Sequence, residues 1–292
     1  MSQLARGIYV FYEYGDGSHV MAYSYFDGNN WTVNQVVPNT GTSGPPSLIL
    51  GNDGELYCFH DGGGNLWYNV FDGVNWRGDW QVDDTNVSHS PSAISYNNQT
   101  YVFHQGADDN GNSNGELWYN IYQGGGNWSG DNQVPNTSMH HSPAAILWNS
   151  EILCFHMGTG GADHSLWVNS YSHQSQWPGD NPVDGPWFAN SPALLSYNGS
   201  LLCFYQGGAN ALTYGQVQLG NPDAINGQSV PSTLLWYSPA PCTFNNRIYC
   251  FHHSTDATNT LYCQIFVGKN WVGDFQVPNV LIESSPSVIA VE

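Results

Sequence analysis

The chain has 292 residues, of which 9% are charged and 14% aromatic, and four Lys and Arg stand against 23 Asp and Glu for a formal net charge of −19. Phosphate backbones and anionic lipid are bound by clustered cations that replace counterions, so this composition argues against nucleic acid and membrane surfaces as partners. No apolar run approaches the roughly 18 residues of a membrane span, and the N-terminal stretch Met1 to Gly7 has no apolar signal core, which predicts a cytoplasmic or non-classically secreted protein.

The first predicted element is a strand, Gly7-Ile-Tyr-Val-Phe-Tyr12. From there the chain repeats itself: Gly44-Pro45, Ser90-Pro91, Ser142-Pro143, Ser191-Pro192, Ser238-Pro239 and Ser285-Pro286 place prolines at spacings of 46, 52, 49, 47 and 47 residues. Self-similarity at such a period marks a repeat architecture. Each unit opens on Ser-Pro and a short apolar run, as in Ser92-Ala-Ile-Ser-Tyr96, and an Asn/Gly turn leads into a run ending Phe-His, as in Thr100-Tyr-Val-Phe-His104. A Gly-rich turn follows, then Leu117-Trp-Tyr-Asn-Ile-Tyr122, another turn, and Trp128-Ser-Gly-Asp131 with Asn132-Gln-Val-Pro135. Short runs rich in Tyr, Phe, Trp, Val and Ile between Gly and Asn turns are strands, four to a unit, and no helical periodicity competes.

The last run, Ser285-Pro-Ser-Val-Ile-Ala-Val291, is a first strand without the rest of its unit, whereas the chain opens on a second strand. The expected fold is therefore all-β, one domain over 1–292: a six-bladed β-propeller of four-stranded antiparallel blades, with the C-terminal strand joining the N-terminal blade so that no edge is left open.

Cys58, Cys154, Cys203 and Cys250 each precede the recurrent Phe. Equivalent positions in successive units lie beyond the ~6 Å Cα separation of a disulfide, so these are expected to be small buried apolar residues of a reducing compartment. Unit three carries an insertion over 108–116 with Asp108, Asn110, Asn112 and Glu116 at loosely calcium-like spacing. It lacks the EF-hand pattern, so a solvated hairpin loop is expected, with no metal or cofactor.

Three sets of positions are candidate ligand-binding residues. His60, His104, His156 and His252 follow the recurrent Phe, with Tyr12 and Tyr205 in their place in units one and five, and Gln105 and Gln206 come next in line. Either these groups emerge at a strand end to meet a ligand, or they bond a neighbouring blade's loop. Trp67, Trp118 and Trp167 occupy the Leu-Trp-Tyr-Asn position and its variant; Trp76, Trp128, Trp177 and Trp271 open the outer strand, mostly followed by Gly-Asp. An indole serves equally as blade packing or as a sugar platform. His89, His140 and His141, just before Ser-Pro, are expected near the same rim. Enzyme readings find little support: the histidines are spread one per unit rather than around one ion, the arginines Arg6, Arg77 and Arg247 form no sialidase-like cluster, and no Gly-X-Ser-X-Gly elbow occurs.

The recurring Ser-Pro-Ser-Ala, Leu-Tyr-Cys-Phe-His and Leu-Trp-Tyr-Asn-x-Phe-Asp-Gly-x-x-Trp phrases resemble the β-propeller lectins of the tectonin-like and Photorhabdus-lectin-like groups. The resemblance implies multivalent carbohydrate binding at several equivalent sites, often between adjacent blades, without catalysis, and a role in defence or host contact. In the fucose-binding six-bladed group a repeated Arg and Glu act with Trp; no Arg repeats in this chain, so that pocket does not carry over. Residue chemistry points the same way, because neutral sugars are held by aromatic faces with amide, imidazole and carboxylate hydrogen bonds, and weak sites in a ring gain by avidity. Units two, three, four and six keep the pattern best. The competing expectation is a propeller that binds a protein, such as a protease or toxin partner, without sugar specificity.

Overall fold

The computed structural model describes residues 4–108, 110–159, 165–172, 176–183, 185, 187–220, 225–256 and 258–292. They form a β-propeller of four-stranded antiparallel blades, whose one helical element among the described residues is a 3-10 turn at Gly208–Asn210. Four separate sheets follow one plan, of which Ala240–Phe244, Arg247–His253, Thr260–Val267 and Asn270–Leu281 is the simplest instance. The N-terminal sheet takes its innermost strand from the far end of the chain, Ser287–Val291 pairing antiparallel with Gly7–Glu13. A larger eight-stranded sheet holds units two and three together. Its 21-residue strand Trp76–Tyr96 pairs with Asn65–Phe71 over its first half and with Gln99–Ala107 over its second. Register aligns Ser47 with Phe59 as it aligns Ser92 with Phe103, so Pro46 rather than Pro45 is the equivalent of Pro91.

A four-stranded sheet has two faces and no core of its own, so each face is covered by the next unit. The buried side chains fall into six clusters, each shared by two units and each built on one plan. Phe11 and Val37 of unit one meet Cys58 of unit two, and Phe59 and Val82 meet Val102. The plan continues through the chain until Phe251 and Val277 of unit six meet Val10 of unit one. Cys58, Cys154, Cys203 and Cys250 therefore fill a slot that takes valine in units one and three. All six cysteines are free and buried, and burial raises the pKa of Cys58, Cys154, Cys203, Cys242, Cys250 and Cys263 alike.

Aromatic edges reinforce these interfaces. Trp76, Trp128, Trp177 and Trp271 each stand edge-on to the Phe of the preceding unit, at 5.8 Å from Phe11, 6.0 Å from Phe59, 5.7 Å from Phe103 and 6.1 Å from Phe204. Trp31 of unit one makes the same contact with Phe251 of unit six at 6.0 Å. Unit five, which has no outer tryptophan, covers Phe155 with Val217 and Ile225 instead. Polar links run beside them: Asn69 donates to Thr40 at 2.8 Å, Asn120 to Thr85 at 2.9 Å, and the Ser90 and Ser142 amides to the hydroxyls of Ser142 and Ser191, both at 3.0 Å.

Two outcomes follow from this packing. Trp271→Ala removes an edge contact and opens a cavity, lowering stability by about 2–3 kcal/mol, whereas Trp271→Phe retains most of it; chemical denaturation measures both. The six thiols, held neutral by burial, stay unreactive to a disulfide reagent in the native protein and all react once it is unfolded.

Candidate functional site

The recurrent histidines are buried within their blades, and of the four His60 borders a cavity. His60, His104, His156 and His252 are 1%, 0%, 0% and 1% exposed. Each imidazole Nε2 donates to the aspartate of its own unit's outer strand: to Asp79 at 2.8 Å, Asp131 at 2.9 Å, Asp180 at 3.1 Å and Asp274 at 2.9 Å. The glycine before each aspartate explains how the carboxylate gets there. Gly78, Gly130, Gly179 and Gly273 have φ of 99°, 82°, 109° and 69°. In units two and six the register skips at that point, leaving Asp79 and Asp274 in a bulge that turns them inward. The aspartates thus close the blade rather than their own turns.

Units one and five confirm the logic by substitution. Where Tyr12 replaces histidine, its hydroxyl donates to Asn34 at 2.9 Å and lies 2.7 Å from Ser24, the serine standing where Asn69 stands in unit two. Where Tyr205 does so, the facing residue is Gly227, at which a Cβ would lie 2.0 Å from the tyrosine hydroxyl.

The glutamines are also internal. Gln105 donates to the Met139 carbonyl at 2.8 Å and Gln206 to that of Leu235 at 2.6 Å. Trp67, Trp118 and Trp167 pair across the sheet with His60, His104 and His156, and each lies against a glycine, Gly62, Gly106 or Gly158, at which a Cβ would come within 2.8 Å of the indole. Of the three, Trp67 borders a small cavity of about 390 Å³ with His19, Thr42, His60 and Asp79. The outer tryptophans are the interface staples described above. Only Trp128 among them also borders a groove large enough for a saccharide.

That groove, of about 860 Å³, lies between units two and three. Its wall is a continuous set of aromatic rings: Tyr68 stands 5.2 Å from Trp80, 5.6 Å from Tyr122 and 5.6 Å from Trp128, and Tyr57 stands 5.5 Å from Tyr122. Trp80 is 44% exposed and lies over Gly78, the bulge glycine, where a Cβ would meet its ring at 2.5 Å. At one end Arg77 is paired with Glu55, and the Tyr57 hydroxyl donates to Asp53 at 2.7 Å. Asp83 and Asp84 border the groove as well. Sequence reasoning passed over Tyr57, Arg77, Trp80 and Tyr122 because it looked for what repeats. The usable signal was the reverse: Arg77 is one of four basic residues in the chain, and no other unit sets an arginine beside its outer tryptophan.

A second cavity, of about 460 Å³, is bordered by all six anchor prolines. His89 and His141, both at positive φ (70° and 64°), stand at its rim with rings 5.6 Å apart. Among the described residues no Asp, Glu, Lys or Arg borders it. In the insertion of unit three, Asp108 accepts the amides of Asn110 and Asn112, each at 2.9 Å, as an Asx turn; residue 109 lies outside the described residues.

No protein-family model matches the chain, and no curated protein matches it in sequence. Solved structures do resemble it. AofleA from Arthrobotrys oligospora superposes with a TM-score of 0.65 at 12% identity, over 100% of this chain and 92% of its own. The fucose-recognising, six-bladed Aleuria aurantia lectin gives 0.63 at 14%, over 91% and 90%. A GH43_1 enzyme from Xanthomonas citri, solved with xylotriose, gives 0.52 at 14%, over 73% and 82%. At these identities the likeness is one of fold.

The internal pair yields a test. His104→Ala empties the fully buried imidazole site, removes the partner of the half-buried Asp131 carboxylate and costs about 2–3 kcal/mol. The triple change His104→Tyr, Asn120→Ser, Asp131→Asn installs unit one's arrangement and melts well above His104→Tyr alone.

Proposed function

We propose that this protein is a multivalent carbohydrate-binding propeller without catalysis. In this reading its 292 residues form one domain of six blades, the eight-stranded sheet being two blades joined through Trp76–Tyr96, and Ser287–Val291 closes the ring. Six interfaces built on one plan, the last joining units six and one, support that count. The observation that carries the function is the groove between units two and three: aromatic faces for the apolar side of a sugar ring, carried mainly on strands, with polar groups at its ends.

The sites are unequal rather than equivalent. The Glu55–Arg77 pair occurs once, and smaller grooves at unit five, with Tyr214 and Gln228, and at unit six, with Tyr262 and Gln276, combine one tyrosine with amides and hydroxyls. Glycosidases need two carboxylates flanking the scissile bond; among the described residues none borders the cavity at the anchor prolines, and in the groove Asp53 and Glu55 are held by Tyr57 and Arg77. The protein-binding alternative draws on one feature, the exposed Trp187 (54%) and Trp236 (47%), whose segments are joined by a bond from Asn190 to the Trp236 carbonyl.

A glycan array tests the reading. Wild type retains a defined glycan set, Trp80→Ala weakens that binding at least about tenfold by removing a stacking face, and chromogenic glycosides are not turned over. Absence of any retained glycan, or undiminished binding by a folded Trp80→Ala variant, overturns it.

A further inference from the structure

The groove's hydrogen bonds are lopsided. Half of its side-chain donors, including its arginine and both amides, are committed to the protein: Tyr57 to Asp53, Arg77 to Glu55, the Gln81 amide to Asn65 at 3.1 Å and the Asn127 amide to Gly124 at 3.0 Å. Acceptors are in surplus. Asp83 and Asp84 are exposed, and neither carboxylate has a hydrogen-bond or ion-pair partner among the described residues. Four of the sixteen residues bordering the groove are acidic, against 23 of 292 in the chain, and the single arginine there is already neutralised by Glu55.

A ligand for such a groove must bring donors and positive charge, and its ring faces must suit aromatic walls. A neutral deoxy sugar brings no charge, and an acidic sugar is repelled. A protonated amine meets both demands, since it donates up to three hydrogen bonds to carboxylates and is attracted to the negative face of an aromatic ring. Asp53 and Glu55 come from the turn before the second strand, and Asp83 and Asp84 from the far part of the outer strand, so the acids flank the aromatic wall on both sides. That arrangement suits a chain of sugars with more than one amine.

We propose, building on the carbohydrate reading above, that the groove between units two and three selects amino sugars in their protonated, non-acetylated form. The discriminating probes are the β-1,4 tetramers of glucosamine and of N-acetylglucosamine, which share ring and linkage and differ in charge. Titration calorimetry at low salt gives the glucosamine tetramer at least about tenfold tighter binding, a preference that shrinks as salt screens the charges. In Asp83→Asn/Asp84→Asn the preference falls to about threefold or less, with the melting temperature unchanged. Asparagine tolerates the positive φ of 53° at Asp84, so the variant folds. Because a chain of net charge −19 attracts any polycation, Asp16→Asn/Asp27→Asn, which removes two exposed acids remote from the groove, serves as the comparison and leaves the preference intact.

Equal or tighter binding of the acetylated tetramer overturns the amine selection while leaving the carbohydrate reading standing. A preference lost equally in both double variants also overturns it, assigning the effect to the overall charge. Failure of both tetramers to bind, together with an empty glycan array, removes both readings.

Discussion

The contact on which this molecule depends is the edge of a tryptophan, or its substitute, against the phenylalanine of the preceding unit. A four-stranded sheet cannot bury its own apolar faces, and each unit therefore completes its neighbour's core. Trp31, Trp76, Trp128, Trp177 and Trp271 repeat the contact with ring separations between 5.7 and 6.1 Å, as the offset geometry of aromatic pairs favours. Where unit five lacks the indole, Val217 and Ile225 occupy the place, which shows that the demand is for apolar volume first and for an indole second.

The buried histidine–aspartate bond is the second repeated device, and it acts within a blade rather than between blades. It joins the second strand to the outer strand across the third, and a left-handed glycine makes room for it. Such a bond costs desolvation of both groups, so it holds geometry more than it adds stability. Its replacement by Tyr12 with Asn34 and Ser24 conserves the hydrogen bond while changing every participant. A residue set that repeats with compensated exchanges is serving the scaffold.

The candidate site lies where the repeat is broken. Arg77 beside its outer tryptophan is particular to unit two, whereas Glu55 has a counterpart in Glu151 of unit four and Trp80 one in Phe275 of unit six; in unit two the three meet Tyr122 and Trp128 of unit three across an interface whose inner layer is the ordinary repeated one. Trp80 reaches the groove because Gly78, needed to turn Asp79 inward, leaves bare backbone for the indole to cover. Scaffold and site thus share one bulge.

Hydrophobic alternation and the proline spacing sufficed to read strands, four-stranded units and a propeller from the amino-acid order, because period-two patterns and turn residues are local signals. Burial of the cysteines was legible for the same reason: they alternate with ring residues on strands covered on both sides. The direction in which His60, His104, His156 and His252 point, by contrast, was decided by an outer-strand aspartate some twenty residues downstream, and no local pattern reports which carboxylate a buried imidazole meets. The groove likewise depends on a side-by-side placement of two units that only the packed fold supplies. Sequence determined the elements and their period; tertiary structure decided which polar groups were spent on holding the blades and which were left for a ligand, because that division is made by contacts between residues far apart in the chain.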